Sequence, residues 1–313
     1  MDIGSNSLRF LAVERASGLL CYLDSGIWTI RLGRGLRDGE YVIQEDVLSM
    51  ALQTVEEAWK RLDALHVPLN NRVIFATESL RSSSNANEIA DIVEKKTGLA
   101  LRILDGRQEA LYSCRGALLG MDVNDALVFD LGGGSLELCC KNFNVSLPLG
   151  AIRIKASFDE DTVAIKSHVR SKLREVLKEG SMMQVAEIIG VGGTSSTAAM
   201  ILKGIPIKNY HPSKVHATRI EEKDIESLIE FLKQMDVGTR RHLTGLEPGR
   251  ADIIVSGLCV ISAILEFFGV DRYTHSECDL LWGVIADAIT EKDAVDVRGI
   301  CWGGKLEDVE GQV

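Results

Sequence analysis

The sequence predicts an α/β protein built as two related domains, and three observations carry that expectation. Short apolar runs alternate with stretches of helical periodicity along the whole chain, the pattern of sheets covered by helices. At 313 residues the chain is about twice the usual single-domain length of roughly 100 to 200 residues. One motif occurs twice: DIGSNSLRF at 2–10 and DLGGGSLEL at 130–138 share an Asp, an aliphatic residue, a Gly, two small or polar residues, a Ser and a Leu. Their offset of 128 residues is too long for a solenoid repeat and close to one domain. Each domain therefore opens with the same loop. The pattern places the boundary near 120–124, giving one domain over 1–120 and a second over 121–313 whose last residues could return to the first.

Strands are expected at 8–13, 72–76, 99–104, 126–131, 136–140 and 187–191, where aliphatic and β-branched residues cluster between turn formers. Between the first two, Val47, Ala51, Val55, Ala58, Leu62 and Leu65 recur at spacings of three and four, one apolar helix face that should cover a sheet. Further helices are expected at 86–96, 108–118, 163–179, 194–203, 225–235, 250–268 and 280–290. The apolar run 253–265 is broken by Ser256, Gly257 and Ser262 and is shorter than the ~18 residues of a spanning helix, so it reads as a buried helix.

Composition excludes several function classes. Hydrophobic residues at 46% and charged residues at 26% are those of an ordinary globular protein, not a disordered or collagen-like one. A formal charge of -10 argues against nucleic acid or anionic membrane as a partner. The charge is uneven: residues 138–220 hold 12 Lys or Arg against 6 Asp or Glu. Arg153, Lys155, Lys166, Arg170, Lys172 and Arg174 lie there, either as a path for a polyanion or as a solvated helix face. The N-terminus lacks the basic-then-apolar layout of a signal peptide, so a cytoplasmic location is expected. Seven cysteines, with no C-x-x-C pair, indicate neither a zinc knuckle nor a disulfide framework.

In each copy of the repeat an aliphatic strand ends at a carboxylate, turns through Gly and Ser, and resumes as a second strand. Glycine allows close backbone approach, so successive N–H groups can converge on a phosphate while the Asp holds a metal or its water. A tight turn alone would explain either loop; recurrence at a domain-length offset favours a shared function. A third cluster, IIGVGGTSSTAAM, places Gly192, Gly193 and Thr194 at a helix start, where free N–H groups bind anions; Thr194 or Ser195 as a simple N-cap is the alternative. Neither G-x-G-x-x-G nor G-x-x-x-x-G-K-[ST] is present. Asp105 and Gln108 fit a capping box that leaves Glu109 in the first helical turn. Arg81, after a strand, is either a fork for two phosphate oxygens or a solvated loop residue. His211 and His216 show no metal-ligand spacing and read as surface residues.

Taken in order, DIGSNS, ATESLR, DGRQEA, DLGGGSLE, SLPLGAIR, GVGGT and GLEPGRADII span nearly the whole chain. That series resembles the exopolyphosphatase / guanosine pentaphosphate phosphohydrolase family. The resemblance implies two actin-like (ribonuclease H-like) α/β domains with a cleft between them, the fold of sugar kinases and Hsp70 ATPases; the glutamate segment and the LPLGA strand select this family over kinases. It implies that Glu109 is the catalytic base. Asp130 and Glu137 would position the water and a divalent cation, Mg2+ or another, with Asp2 adding a metal contact. Ser5, Asn6, Arg81, Gly132, Gly133, Gly134 and Ser135 would cradle phosphoryl oxygens. Such chemistry needs positioning and charge neutralisation more than a covalent nucleophile. The implied reaction is removal of terminal orthophosphate from inorganic polyphosphate, with guanosine pentaphosphate as the alternative substrate, by a homodimer whose cleft opens and closes. A non-catalytic polyphosphate or alarmone sensor and a sugar kinase-like ATPase compete; Glu109, Asp130 and Glu137 together argue against the first, and the lack of a sugar-recognition segment against the second.

The chain also departs from the family's pattern. Only Met1 precedes Asp2, where relatives carry several apolar residues, so the first strand is expected to be shortened or the native start to lie upstream. Leu136 stands where a threonine is common, and SECDLLWG at 276–283 replaces a Gly-Leu-Arg-Glu-Gly type segment. With no helical extension after the second domain, short chains or nucleotide-linked phosphates are the expected substrates.

Overall fold

Each copy of the repeated motif folds as an antiparallel hairpin, and each hairpin seeds a six-stranded sheet. A computed structural model describes residues 1–36, 41–121, 123, 126–141, 143–177, 185–293 and 297–302. In the first sheet β1 (Asp2–Ile3) pairs with β2 (Ser7–Ala16), and β3 (Leu19–Thr29) follows. β4 (Phe75–Ala76) and β5 (Arg102–Ile103) extend it in parallel beyond β1. The second sheet repeats the scheme: β6 (Leu127–Leu131), β7 (Leu136–Cys140) and β8 (Phe143–Leu147) form a meander, and β9 (Ile188–Val191) lies parallel to β6. β10 (Thr218–Glu221) and β11 (Arg272–His275) complete it, while β12 (Gly299–Cys301) returns to the first sheet beside β3. The registers match: Asp2 faces Arg9 as Asp130 faces Glu137.

The first strand is short, spanning Asp2–Ile3. Its pairing is prolonged by the terminal amine, which donates to Val73 O at 2.7 Å, and by Phe75 N donating to Met1 O at 3.1 Å. The expected strands at 72–76 and 99–104 shrink to two residues each. β3 was not foreseen because Asp24, Ser25 and Gly26 interrupt its apolar pattern; a half-covered strand does not need an unbroken one. The LPLGA strand is corrected: β8 ends at Leu147, and Pro148–Gly150 turn into the helix Ala151–Phe158.

The helix Glu45–Ala64 buries Val47, Ala51, Val55, Ala58 and Leu62, as its spacing dictates; Leu65 falls at the C-cap and is partly exposed. The helix Ile254–Phe268 buries every residue from Ile254 to Leu265. Its hydroxyls are satisfied there: Ser256 donates to Asp159 O at 2.8 Å and Ser262 to Glu226. The basic stretch forms the helix Thr162–Val176, and residues 178–179 of the expected helix lie outside the described residues. Lys166 pairs with Glu226 and Glu266, Arg170 with Glu266, and Lys172 with Glu175. These cations are already balanced, which is the solvated-face reading. Among the described residues no helix is long and apolar enough to cross a membrane, and none of the seven cysteines is in a disulfide.

The helices Gly106–Leu119 and Leu280–Asp293 cross where two glycines remove all side-chain bulk. A methyl on Gly116 would lie 1.9 Å from Asp279 O, and one on Gly283 1.9 Å from Tyr112 O. Arg115 locks the crossing, donating to Asp287 at 2.6 Å and Thr290 at 2.9 Å. This contact fixes Glu109, on one helix, relative to the start of the other.

Candidate active site

Asp2 and Asp130 occupy equivalent places, each on the first strand of its hairpin, and the two hairpin tips meet. A methyl on Gly134 would lie 2.7 Å from Ser5 Oγ, and one on Gly133 3.1 Å from the Asn6 nitrogen. The third loop closes the same space. Gly192 has φ +95, and a Cβ there would sit 2.5 Å from Leu131 O and 2.9 Å from Asp130 Oδ1, so only glycine suits the turn into the helix Gly193–Leu202. Glu109 enters from the helix Gly106–Leu119, whose expected capping box forms: Asp105 accepts from Arg107 N and Gln108 N at 2.8 Å, and Gln108 accepts from Asp105 N at 3.1 Å.

These segments enclose a cavity of about 70 Å³. Asp2, Ser5, Asn6, Glu109, Asp130 and Glu137 line it together with Gly132, Gly133, Gly134, Ser135, Gly192 and Gly193. Two expected members are absent from its wall. Thr194 is buried against the helix Ile254–Phe268, where a methyl on Gly257 would meet its Oγ1 at 2.6 Å; its side chain packs instead of reaching a ligand. Arg81 donates to Glu109 Oε2 at 2.8 Å, Leu104 O at 2.7 Å and Glu78 Oε2 at 2.5 Å. The buried glutamate needs a counter-charge, and Arg81 supplies it.

Each of the other carboxylates is likewise held by side-chain donors, Glu137 by Ser135 as well as Ser146. Arg9 donates to Asp2 Oδ2 from NH2 at 2.7 Å and Nε at 3.2 Å. Ser113 donates to Asp130 Oδ2 at 2.6 Å, and Ser146 to Glu137 Oε1 at 2.7 Å. Arg9, Ser113 and Ser146 were not singled out from the sequence. The signals were present: Arg9 sits in the first repeat where the second has Glu137, and Ser113 lies one helical turn beyond Glu109.

Burial dominates the electrostatics. It pushes Glu109 up to about 8, with Arg81 pulling back and Asp130 and Asp2 adding to the rise. Burial, reinforced by Asp279 and opposed by Ser113, pushes Asp130 up to about 6. Asp2 is raised by burial against the pull of Arg9, and Glu137 by burial and then by Glu109 and Asp130. The donor set is entirely oxygen, and Asp2 Oδ1 and Asn6 Oδ1 are buried without a partner. These features fit a hard divalent cation. Among the described residues no three His, Cys, Asp or Glu side chains converge as a ready-made metal site. An ion would therefore use one or two carboxylates and complete its shell with water and phosphate oxygens, the habit of Mg2+.

A larger chamber of about 410 Å³ adjoins the cavity and shares Arg9, Gly192, Gly193 and Arg250 with it. Phe10, Tyr22, Tyr210 and Trp282 give it aromatic walls; Glu247 and Asp279 there pair with Arg250 and Arg9, and Glu277 stands beside them. Although burial opposes it, Glu277 stays low because His275, Ser196 and Tyr210 all donate to it, at 2.9, 2.6 and 2.7 Å. His211 and His216 are half-buried. His216 Nδ1 accepts from Glu277 N at 3.2 Å while Nε2 faces Gly120 O at 3.2 Å, a structural role. Ion pairs cross the cleft between the sheets: Arg31 reaches Asp252 at 2.5 and 2.8 Å and Gly249 O at 2.7 Å, and Arg153 reaches Glu78 at 2.7 Å.

The geometry can be set beside known proteins. Exopolyphosphatase 2 of Mycobacterium tuberculosis is 27% identical over 310 residues, covering 91% of this chain and 96% of that protein. A bifunctional 3-dehydroquinate synthase/phosphatase of Fusobacterium nucleatum is 27% identical over 316 residues, covering 93% of this chain; the chain spans only 46% of that relative's length. Among solved structures, an exopolyphosphatase from Cytophaga hutchinsonii superposes with a TM-score of 0.82 at 25% identity, over 95% of this chain and 97% of the other. An Aquifex aeolicus Ppx/GppA protein gives 0.75 at 26% identity, over 93% and 97%. These neighbours carry the actin-like α/β fold, consistent with two domains, that the family resemblance implies. The family's sequence profile matches residues 12–292, which takes in Glu109, the second and third loops and both crossing helices: the chain belongs to the Ppx/GppA phosphatase family.

Proposed function

We propose that this protein is a phosphoanhydride hydrolase that removes terminal orthophosphate from inorganic polyphosphate with the help of a divalent cation. The observation that carries the reading is the convergence of Glu109, Asp130, Glu137 and Asp2 with three glycine-rich turns around one small cavity. The exopolyphosphatase relatives support it at moderate identity.

In this reading the terminal phosphoryl group enters the cavity, where the backbone N–H groups of the turns at 132–135 and 192–193 and the Ser5 and Asn6 loop surround its oxygens. Arg250, on the boundary of cavity and chamber, faces the next phosphate. Glu109, anchored by Arg81, orients a water in line with the bridging P–O bond and takes its proton as the O–P bond forms. The bridging bond breaks, orthophosphate is released, and the remaining chain leaves one unit shorter. Asp130 and Glu137, fixed by Ser113 and Ser146, hold their oxygens toward the same point. A bound Mg2+ or similar cation supplies charge neutralisation at the phosphoryl oxygens. Four buried carboxylates that raise one another's pKa are the reason such a charge is needed.

The aromatic chamber supports short chains over long ones, since its cations Arg9 and Arg250 are already paired with Asp279 and Glu247 and Glu277 adds negative charge beside them. It also favours a second substrate, guanosine pentaphosphate, whose flat organic end suits aromatic walls. Phosphate release from tripolyphosphate, long polyphosphate and guanosine pentaphosphate, with and without Mg2+, tests all of this. Glu109→Gln should lose roughly 100-fold or more in kcat, the scale of general-base catalysis. Equal activity of the two proteins would sink the mechanism, and activity climbing steadily with polymer length would overturn the short-chain preference.

A further inference from the structure

Just before the helix Leu280–Asp293 the chain places a buried carboxylate that the mechanism above does not use. We propose that Asp279 is a positioning residue: acting through Arg9, it fixes which oxygen of Asp2 is presented to the phosphoryl cavity.

Asp279 is held from three sides. Its backbone oxygen lies against Gly116, on the helix that carries Glu109. Its Oδ1 accepts from Leu281 N at 3.0 Å, capping the helix Leu280–Asp293. Its Oδ2 accepts from Arg9 NH1. Arg9 in turn spends Nε and NH2 on one oxygen of Asp2, Oδ2. The other oxygen, Oδ1, is buried with no partner on a residue only 3% exposed. A guanidinium is a planar fork, so one carboxylate oxygen cannot set its plane alone; a second anion on NH1 does. Without Asp279, Arg9 is free to turn toward the chamber it also lines, and Asp2 loses its orientation. Since Asp279 is also seated on the helix of Glu109, one residue links the base from one element to the carboxylate of the first loop.

Its catalytic consequence rests on the divalent-cation reading above; the link between positions 9 and 279 does not. Asp279→Asn keeps a good helix cap and removes the charge, so it separates positioning from folding. Mn2+ binding to the substrate-free protein is followed by the loss of the free-ion EPR signal, alongside kinetics with tripolyphosphate. Asp279→Asn should bind Mn2+ about 10-fold more weakly and lose about 10-fold in kcat, the scale of outer partners of metal ligands. KM for tripolyphosphate and the thermal midpoint should stay at the wild-type values, and Asp279→Glu should recover part of the loss. Arg9→Met should show the same defect, and the double variant should be no worse than the more damaged single one. Wild-type Mn2+ affinity in Asp279→Asn, additive losses at the two positions, or no Mn2+ binding by the wild type would each overturn the proposal. Wild-type protein that binds Mn2+ but releases no phosphate would instead refute the proposed reaction, leaving the binding and coupling data to decide the role of Asp279.

Discussion

Glu109 shows how a residue's chemistry is set by what surrounds it. A carboxylate in the first turn of a helix needs no functional explanation, yet this one is buried and pushed up to about 8, with Arg81 as its counter-charge. A general base works deprotonated, so kcat/KM at low divalent cation should rise with pH up to about 8 and then level. Saturating cation should move that inflection to lower pH, because added positive charge favours the carboxylate. Arg81→Met should move it to higher pH, since the guanidinium is what pulls the value down. A pH–rate series on the three conditions checks the signs; a profile without the acidic limb would remove Glu109 from the role of base. The sequence made the carboxylates legible because they sit at strand ends and helix starts within quotable motifs. Their holders were only partly legible: Arg9 stands at a repeat position and Ser113 one turn beyond Glu109, but the bond of Ser113 to Asp130, 17 residues away, leaves no local pattern.

At the scale of elements, the crossing of the helices Gly106–Leu119 and Leu280–Asp293 decides where the site's parts stand. Alanine in place of glycine within an exposed helix normally stabilises by about 1 kcal/mol. Gly116→Ala should do the opposite. Its methyl would need space now filled by Asp279 O at 1.9 Å, which is backbone and cannot rotate away, so a loss of about 1–3 kcal/mol is expected, read as a lower thermal midpoint. An unchanged or raised midpoint would mean that the helices are not in contact there. The expected helices with a long buried face formed, as Glu45–Ala64 and, from Ile254 instead of Arg250, Ile254–Phe268; the shorter helix Ala151–Phe158, which buries only Ala151, Arg153 and Ile154, was not among them. Strand expectations failed where pairing, not pattern, creates the strand: β4 and β5 hold only two residues each, and β3 crosses Asp24, Ser25 and Gly26. Backbone hydrogen bonds to a neighbouring strand are indifferent to side-chain hydrophobicity.

Across the whole molecule, the buried acids set a stability profile. Glu109 and Asp130 have folded values of about 8 and about 6, above their ordinary 4.5 and 3.8. Groups raised by folding favour the fold while protonated; the benefit is complete below the ordinary value and is lost as pH rises through the folded one. The metal-free protein should therefore lose stability between about pH 4 and 8 from these groups, and Mg2+ should restore more of it at pH 8 than at pH 5. Thermal denaturation at both pH values with and without Mg2+ measures this; a Mg2+ effect larger at pH 5 would contradict it.

By itself the sequence determined the family, the α/β class, the duplicated hairpin and most of the groups around the small cavity, because these depend on local turns and on a repeat visible in one dimension. Only the tertiary structure decided that Arg81 holds Glu109, that Thr194 packs on Gly257, that the basic stretch is balanced by Glu226 and Glu266, and that Asp279 reaches Asp2 through Arg9. Those outcomes are settled by which charges are buried together, and desolvation acts on distances in space that sequence separation does not encode.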